Sequence, residues 1–196
     1  RQVLPAWVSY GIRYFEPYPF YTAWAKWSKL HDVDGNTYID FWMGHYALIL
    51  GHSPTRVMRE VRRQLDRGTH YGTAHELEIA VAEQVGKMIP GVEMVRFSNS
   101  GTEAMMYSTR LVRSVAQRNR IGKFEGGWHG GYDALQVAVK QPFNVPESNG
   151  LTTGALQDTV VLPFNKIAPI RKILEDQKLD AVFIEPVLGS GGCVPA

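Results

Sequence analysis

Between Val92 and Ala196, short apolar runs alternate with helical patterns across glycine-rich corners. Residues 93–97 read as a strand. Residues 102 to about 117 read as a helix with Ala104, Ser108, Leu111, Val112 and Val115 on one face, and 121–124 as the next strand. Two more strands are expected at 159–162 and 181–184, separated by a helix that Asn165 caps and that runs to about 177 with Ile167, Ile170 and Leu174 turned inward. Strands alternating with helices predict βαβ units, a mostly parallel sheet and an α/β fold. The stretch 141–156, rich in Pro, Gly, Asn and Thr and without a pattern, has the length of a functional loop.

Upstream, Trp7, Pro17, Pro19 and Trp24 suit an extended arm. Asp34-Gly35-Asn36 lies between the β-prone runs 25–31 and 37–42 and signals a hairpin. Gly51-His52-Ser53-Pro54 offers a helix start, with Ser53 as N-cap and Pro54 as first helical residue. Val57, Val61 and Leu65 then follow at helical spacing to about 67. A second helix is expected over about 75–89, with Leu77, Ala80, Val81, Val85 and Met88 on one face and Pro90-Gly91 ending it.

Charge narrows the partners. The 196 residues carry 21 Lys+Arg against 19 Asp+Glu, a net charge of +2 without blocks of one sign, so neither nucleic acid nor an anionic membrane surface is expected as partner. No apolar run reaches bilayer length and the first residues lack a signal-peptide pattern, which makes the cytoplasm the default compartment. A lone Cys193 forbids an internal disulfide and a cysteine-based zinc site, and suits a reducing environment.

Three corners could carry chemistry. Ser98-Asn99-Ser100-Gly101-Thr102-Glu103-Ala104 lies between a strand and a helix, where free amide groups and the helix dipole suit a phosphate. Ser100 and Glu103 also have the spacing of a capping box, and both readings stand at this point. No Lys follows the glycine as in a P-loop, no G-x-G-x-x-G opens the helix, and the G-x-S-x-G elbow is absent. In Phe124-Glu125-Gly126-Gly127-Trp128-His129-Gly130-Gly131, the glycines allow a planar ring to approach Trp128, although a flexible turn around a buried Trp explains the residues equally. His129 and Asp133 are four apart, but Gly130-Gly131 between them argues against a helical metal site, and no metal is expected. In Ile184-Glu185-Pro186-Val187, Glu185 leaves the carboxyl end of a strand, where ligands of open α/β sheets bind. His31, His45, His52, His70 and His75 have no metal spacing among themselves and read as structural.

Taken in order, several segments resemble the class III pyridoxal-phosphate aminotransferases, and within them most closely the glutamate-1-semialdehyde 2,1-aminomutases. They are Asp32-Val33-Asp34-Gly35-Asn36-Thr37-Tyr38-Ile39-Asp40-Phe41, Gly51-His52-Ser53-Pro54, Arg67-Gly68-Thr69 with Glu76-Leu77-Glu78, Asn99-Ser100-Gly101-Thr102-Glu103-Ala104, Lys123-Phe124-Glu125-Gly126 with His129-Gly130, and Ile184-Glu185-Pro186-Val187. The resemblance implies a pyridoxal 5'-phosphate (PLP) transferase of fold type I, aspartate aminotransferase-like. Residues 1–53 would form an arm and a small-domain hairpin, and 54–196 the first part of an incomplete large domain. Ser100, Gly101 and Thr102 would then hold the cofactor phosphate, Trp128 would stand where the family places a Tyr or Phe on the pyridine ring with His129 beside it, and Glu185 would support the cofactor edge. An amino acid or amino aldehyde substrate, a homodimer and conversion of glutamate 1-semialdehyde to 5-aminolevulinate are likewise implied.

Two departures accompany this resemblance. The family's Asp that pairs with the pyridine nitrogen and its Schiff-base Lys follow the segment matching Glu185, so both are expected beyond Ala196. None of Lys26, Lys29, Lys87, Lys123, Lys140, Lys166, Lys172 and Lys178 occupies the Schiff-base position, and the chain alone is not expected to transaminate. Second, Phe41-Trp42-Met43-Gly44-His45-Tyr46 does not reproduce the aminomutases' Gly-Thr-Trp-Gly-Pro type of pattern, which leaves an ω-aminotransferase of another substrate, or a non-catalytic cofactor-binding piece, as alternatives.

Overall fold

The computed structural model describes residues 3–117 and 119–196. The chain divides into two compact units, Arg1–Val81 and Ala82–Ala196.

In the first unit, β1 (Thr22–Lys26), β2 (Lys29–Asp32) and β3 (Thr37–Ile39) form an antiparallel sheet in that order. The expected Asp-Gly hairpin joins β2 to β3. Asp32 organises its turn: one carboxylate accepts from the amides of Asp34 (3.0 Å) and Asn36 (2.7 Å), the Asn36 side chain (2.9 Å) and the Tyr38 hydroxyl (2.9 Å). The run expected as one strand over 25–31 is instead two, reversed at Trp27-Ser28, with Trp27 in the left-handed region at φ 54°. The arm is less extended than expected, since Pro5–Trp7 and Gly11–Arg13 are 3-10 turns.

After β3 comes α1 (Met43–Tyr46), a single left-handed turn with φ of 47°, 60°, 62° and 63° along its residues. Three of these residues carry a Cβ, and that hand costs about 1–2 kcal/mol for each. Asp40 offsets part of this cost, accepting from the amides of Trp42 (2.7 Å) and Met43 (3.0 Å) while holding His52 Nε2 at 2.7 Å. Ser53, expected as N-cap, lies at φ 49° and does not occupy the cap position; α2 (Thr55–Leu65) starts behind Pro54, whose extended backbone fills it. The helix α3 (Glu76–Met88) follows within one residue of expectation at each end.

The second unit holds the parallel sheet, ordered β5 (Thr159–Leu162), β4 (Ile121–Phe124), β6 (Ala181–Phe183). Central β4 is buried at every position and pairs in parallel with both neighbours, as Ile121 with Thr159 and with Ala181. A strand flanked by strands on both edges needs no polar alternation, and 121–124 shows none. The core gathers here from Ile121, Phe124, Ala134, Leu135, Ala138, Leu162 and Leu188.

The helix α4 (Gly101–Ala116) precedes β4. A one-turn α5 (Thr153–Leu156) breaks the stretch expected to be patternless, and α6 (Ile167–Asp176) links β5 to β6. Three expectations fail in this unit. Residues 93–97 form no strand, because no described strand lies beside them to complete a ladder, and Met94 is 91% exposed. Asn165 does not cap α6; it lies at φ 57° and its side chain donates to the Pro195 carbonyl at 2.9 Å, beside the hairpin of β7 (Val187–Leu188) and β8 (Val194–Pro195). Ile167 and Leu174 face outward, 73% and 45% exposed, since no described element covers that side of α6.

Candidate functional site

The register of the parallel sheet decides what meets at its carboxyl edge. Lys123 pairs with Phe183, so the chain leaving β4 at Phe124 and the chain leaving β6 at Phe183 emerge side by side. The first becomes the glycine corner 125–131 and the second places Glu185 two residues on. The Glu185 carboxylate accepts from the Trp128 amide with one oxygen and from the Gly189 amide at 2.9 Å with the other.

The amino end of α4 arrives at the same corner. Ser100 caps it, its Oγ accepting from the Glu103 amide at 3.2 Å, while the Glu103 carboxylate reaches back to the Asn99 amide at 2.6 Å. The capping reading of Ser100 and Glu103 is therefore realised. It does not compete with a phosphate, because the amides of Gly101 and Thr102 still have no intrahelical acceptor and a Cβ on Gly101 would meet open space. Thr102 turns its hydroxyl sideways and accepts from the Gly131 amide at 2.9 Å.

Around Trp128 and His129, two peptide units are held from both sides. In the first, the Gly127 carbonyl accepts from Lys123 Nζ at 2.9 Å and the Trp128 amide donates to Glu185. In the second, the Gly130 carbonyl accepts from the Gln136 side chain and the Gly131 amide donates to Thr102. Glycine is required at 130: φ is 79°, and a Cβ would come within 2.5 Å of Thr102 Oγ1 and 2.7 Å of its Cα.

Between these clamps the two side chains diverge. Trp128 stays 39% exposed, whereas His129 is buried at 7%, and its Nε2 has no hydrogen-bond partner among the described residues. Burial, reinforced by the nearby Lys123 ammonium and opposed by Glu185, holds the His129 pKa below the usual imidazole value, so the ring is neutral at pH 7. His129 and Asp133 share no helix, since the chain resumes regular structure only in the 3-10 turn Asp133–Leu135. Among the described residues no group of three His, Cys, Asp or Glu is arranged to hold a metal ion.

Ser100, Gly101, Thr102, Trp128, His129 and Glu185 thus come together on one edge of the sheet. Sequence reasoning passed over Lys123 and Gln136, which fix the corner from beneath. The available signal was a lysine inside an otherwise uncharged strand, three residues before the Gly126-Gly127 pair. Of the remaining histidines, His31 meets Thr37 Oγ1 at 2.9 Å, His52 meets Asp40, and His75 Nδ1 accepts from the Leu77 amide at 3.2 Å.

Comparison with known proteins places the chain in a family. Glutamate-1-semialdehyde 2,1-aminomutase of Methanosphaera stadtmanae is 40% identical over 195 residues, covering 98% of this chain and 46% of the relative. An ω-transaminase from Sphaerobacter thermophilus superposes with a TM-score of 0.94 at 36% identity, covering 99% of this chain and 47% of that one. A transaminase solved with PLP bound gives a TM-score of 0.93 at 32% identity, again over 99% and 47%. The chain therefore spans about half the length of the relatives it matches. Its fold is that of the type I transaminases, and residues 15–196 match the family model for class III aminotransferases. On that match over most of its length, the chain belongs to the aminotransferase class-III family.

Proposed function

We propose that the whole protein is a PLP-dependent enzyme of amino-group transfer, with an amino acid or amino aldehyde as substrate. The observation carrying this reading is the junction of Thr102 with Gly130-Gly131, which joins an open helix amino end to a half-exposed indole on one sheet edge. A phosphate held by the Gly101 and Thr102 amides and a ring lying against Trp128 are two ends of one small ligand. The residues fit: the Gly101 and Thr102 amides have no intrahelical acceptor, Gly101 leaves room before them, and Trp128 between the clamped peptides stays 39% exposed.

When bound, PLP withdraws electrons from the carbon that carries the substrate amine. This chain's residues bind and orient it. Gly101 and Thr102 take the phosphate, Trp128 covers the ring with neutral His129 behind it, and Glu185 fixes the Trp128 amide. We further read 1–53 as arm and small-domain piece, 54–196 as the start of the large domain, the protein as a cytoplasmic homodimer, and its lysine and pyridine-facing Asp as lying outside this segment.

The names of the relatives favour conversion of glutamate 1-semialdehyde to 5-aminolevulinate. A two-substrate ω-aminotransferase is the second reading, favoured by the TM-score of 0.94 to an ω-transaminase and by the divergent segment from Phe41 to Tyr46. The test is to purify the full-length protein, look for a visible absorption band that survives dialysis, and supply glutamate 1-semialdehyde with and without a separate amino donor. Product without a donor supports the aminomutase, and product only with one supports the transaminase. Absence of a retained chromophore overturns the PLP reading.

A further inference from the structure

Lys123 sits in the middle of the central strand with no exposed surface, flanked by the buried residues Ile121, Gly122 and Phe124. A buried ammonium is costly unless every proton finds an acceptor. Here the number matches: Nζ donates to the carbonyls of Gly127 (2.9 Å), Leu135 (3.2 Å) and Val137 (2.6 Å). All three donors are committed to backbone. The carbonyls belong to both ends of the segment that leaves the strand, crosses the site and returns, and the Gly127 carbonyl shares its peptide plane with the amide that Glu185 holds.

Resting on the PLP reading above, we infer that Lys123 is a positioning residue for ring recognition. By closing 127–137 into a fixed loop from below, it sets the height and tilt at which Trp128 and His129 meet a flat cofactor, while leaving the phosphate contacts at Gly101 and Thr102 independent of it.

Titration gives this role a signature. Burial dominates and brings the Lys123 pKa down to about 8, against the pull of Glu185 and Glu147, the acidic groups that face it; His129 also faces it and is neutral, and Glu125 beside it is engaged with the Phe164 amide at 3.2 Å. Once neutral, the amine has two N–H groups for three carbonyls, so the loop loosens while the strand beneath stays paired.

The experiment compares full-length wild type with Lys123→Met, using pyridoxamine 5'-phosphate and inorganic phosphate as probes. At pH 7, Lys123→Met is expected to bind pyridoxamine 5'-phosphate about tenfold more weakly, the loss of a charge-assisted bond, with inorganic phosphate affinity unchanged. The gap between the two proteins should narrow above pH 8. Equal binding of pyridoxamine 5'-phosphate by both proteins, or an equal loss for both probes, overturns the inference. Should Lys123→Met fail to fold, amide exchange on unloaded wild type decides: 127–137 is expected to lose protection between pH 7.5 and 9, beyond the intrinsic acceleration, while 121–124 keeps it. An unchanged loop overturns the inference. If wild type binds no pyridoxamine 5'-phosphate, the PLP reading fails, and the exchange measurement still judges the loop clamp.

Discussion

Gly130 and Gly131 are chemically the same residue, yet their surroundings ask different things of them. A methyl at 130 meets the backbone of α4 with φ already at 79°, whereas one at 131 meets nothing within 4 Å. Gly130→Ala is therefore expected to cost about 2 kcal/mol or more and to abolish retention of PLP, and Gly131→Ala to leave both nearly intact. Denaturant titration and dialysis of the paired full-length variants check this. At Glu185, each carboxylate oxygen accepts from a different amide. Glu185→Gln keeps one acceptor and turns the other into a donor facing an N–H, so it is expected to raise the PLP dissociation constant about tenfold. Equilibrium dialysis measures it. The convergence of Ser100, Trp128 and Glu185 was legible because each follows or precedes a regular element that sequence periodicity locates. The clamps were not, since Lys123 and Gln136 act on backbone carbonyls that carry no residue signature.

Among the elements, helix starts separate into two kinds. Ser100 caps α4 because Glu103 answers it three residues later, and Ser100→Ala is expected to lower stability by about 1 kcal/mol in a chemical denaturation curve. Ser53 and Asn165 have the residue type without the reciprocal partner, and both take positive φ instead of capping. The strands at 121–124 and 159–162 matched their expected bounds because each is a short β-prone segment with a parallel neighbour. Residues 93–97 also hold β-prone Val95 and Phe97 but have no ladder among the described residues, and a strand exists only as a pair. The split of β1 from β2 was hidden for another reason: Trp27-Ser28 turns without Gly, Asn or Pro, so no local composition announces it.

At the scale of the molecule, stability rises with pH in both units, but in different windows, acidic for the first and alkaline for the second. In Arg1–Val81, hydrogen bonds led by Asn36 hold the Asp32 pKa below the usual aspartate value; at Asp40 burial pushes the other way, but His52 and the amides of Met43 and Trp42 outweigh it. Folded values below the unfolded ones give stability that is present above about pH 4 and is lost as pH falls through the folded values. Asp40→Asn is therefore expected to flatten the decline in denaturation midpoint between pH 5 and pH 2. In Ala82–Ala196 the perturbed groups, Lys123 and His129, are bases. Because Lys123 titrates near 8 when folded and near 10.5 otherwise, the unfolded chain takes up more protons between those values, and stability rises with pH there. Lys123→Met is expected to remove that rise.

Strand order also has a consequence during synthesis. The innermost strand is made before either of its neighbours, which begin only at Thr159 and Ala181. Until both have cleared the ribosome, Ile121 and Phe124 have nowhere to go, and closing such long chain loops is slow. The nascent polypeptide therefore passes through an interval in which its stickiest surface is unshielded, and a holding chaperone bound over these residues would raise the yield of native protein.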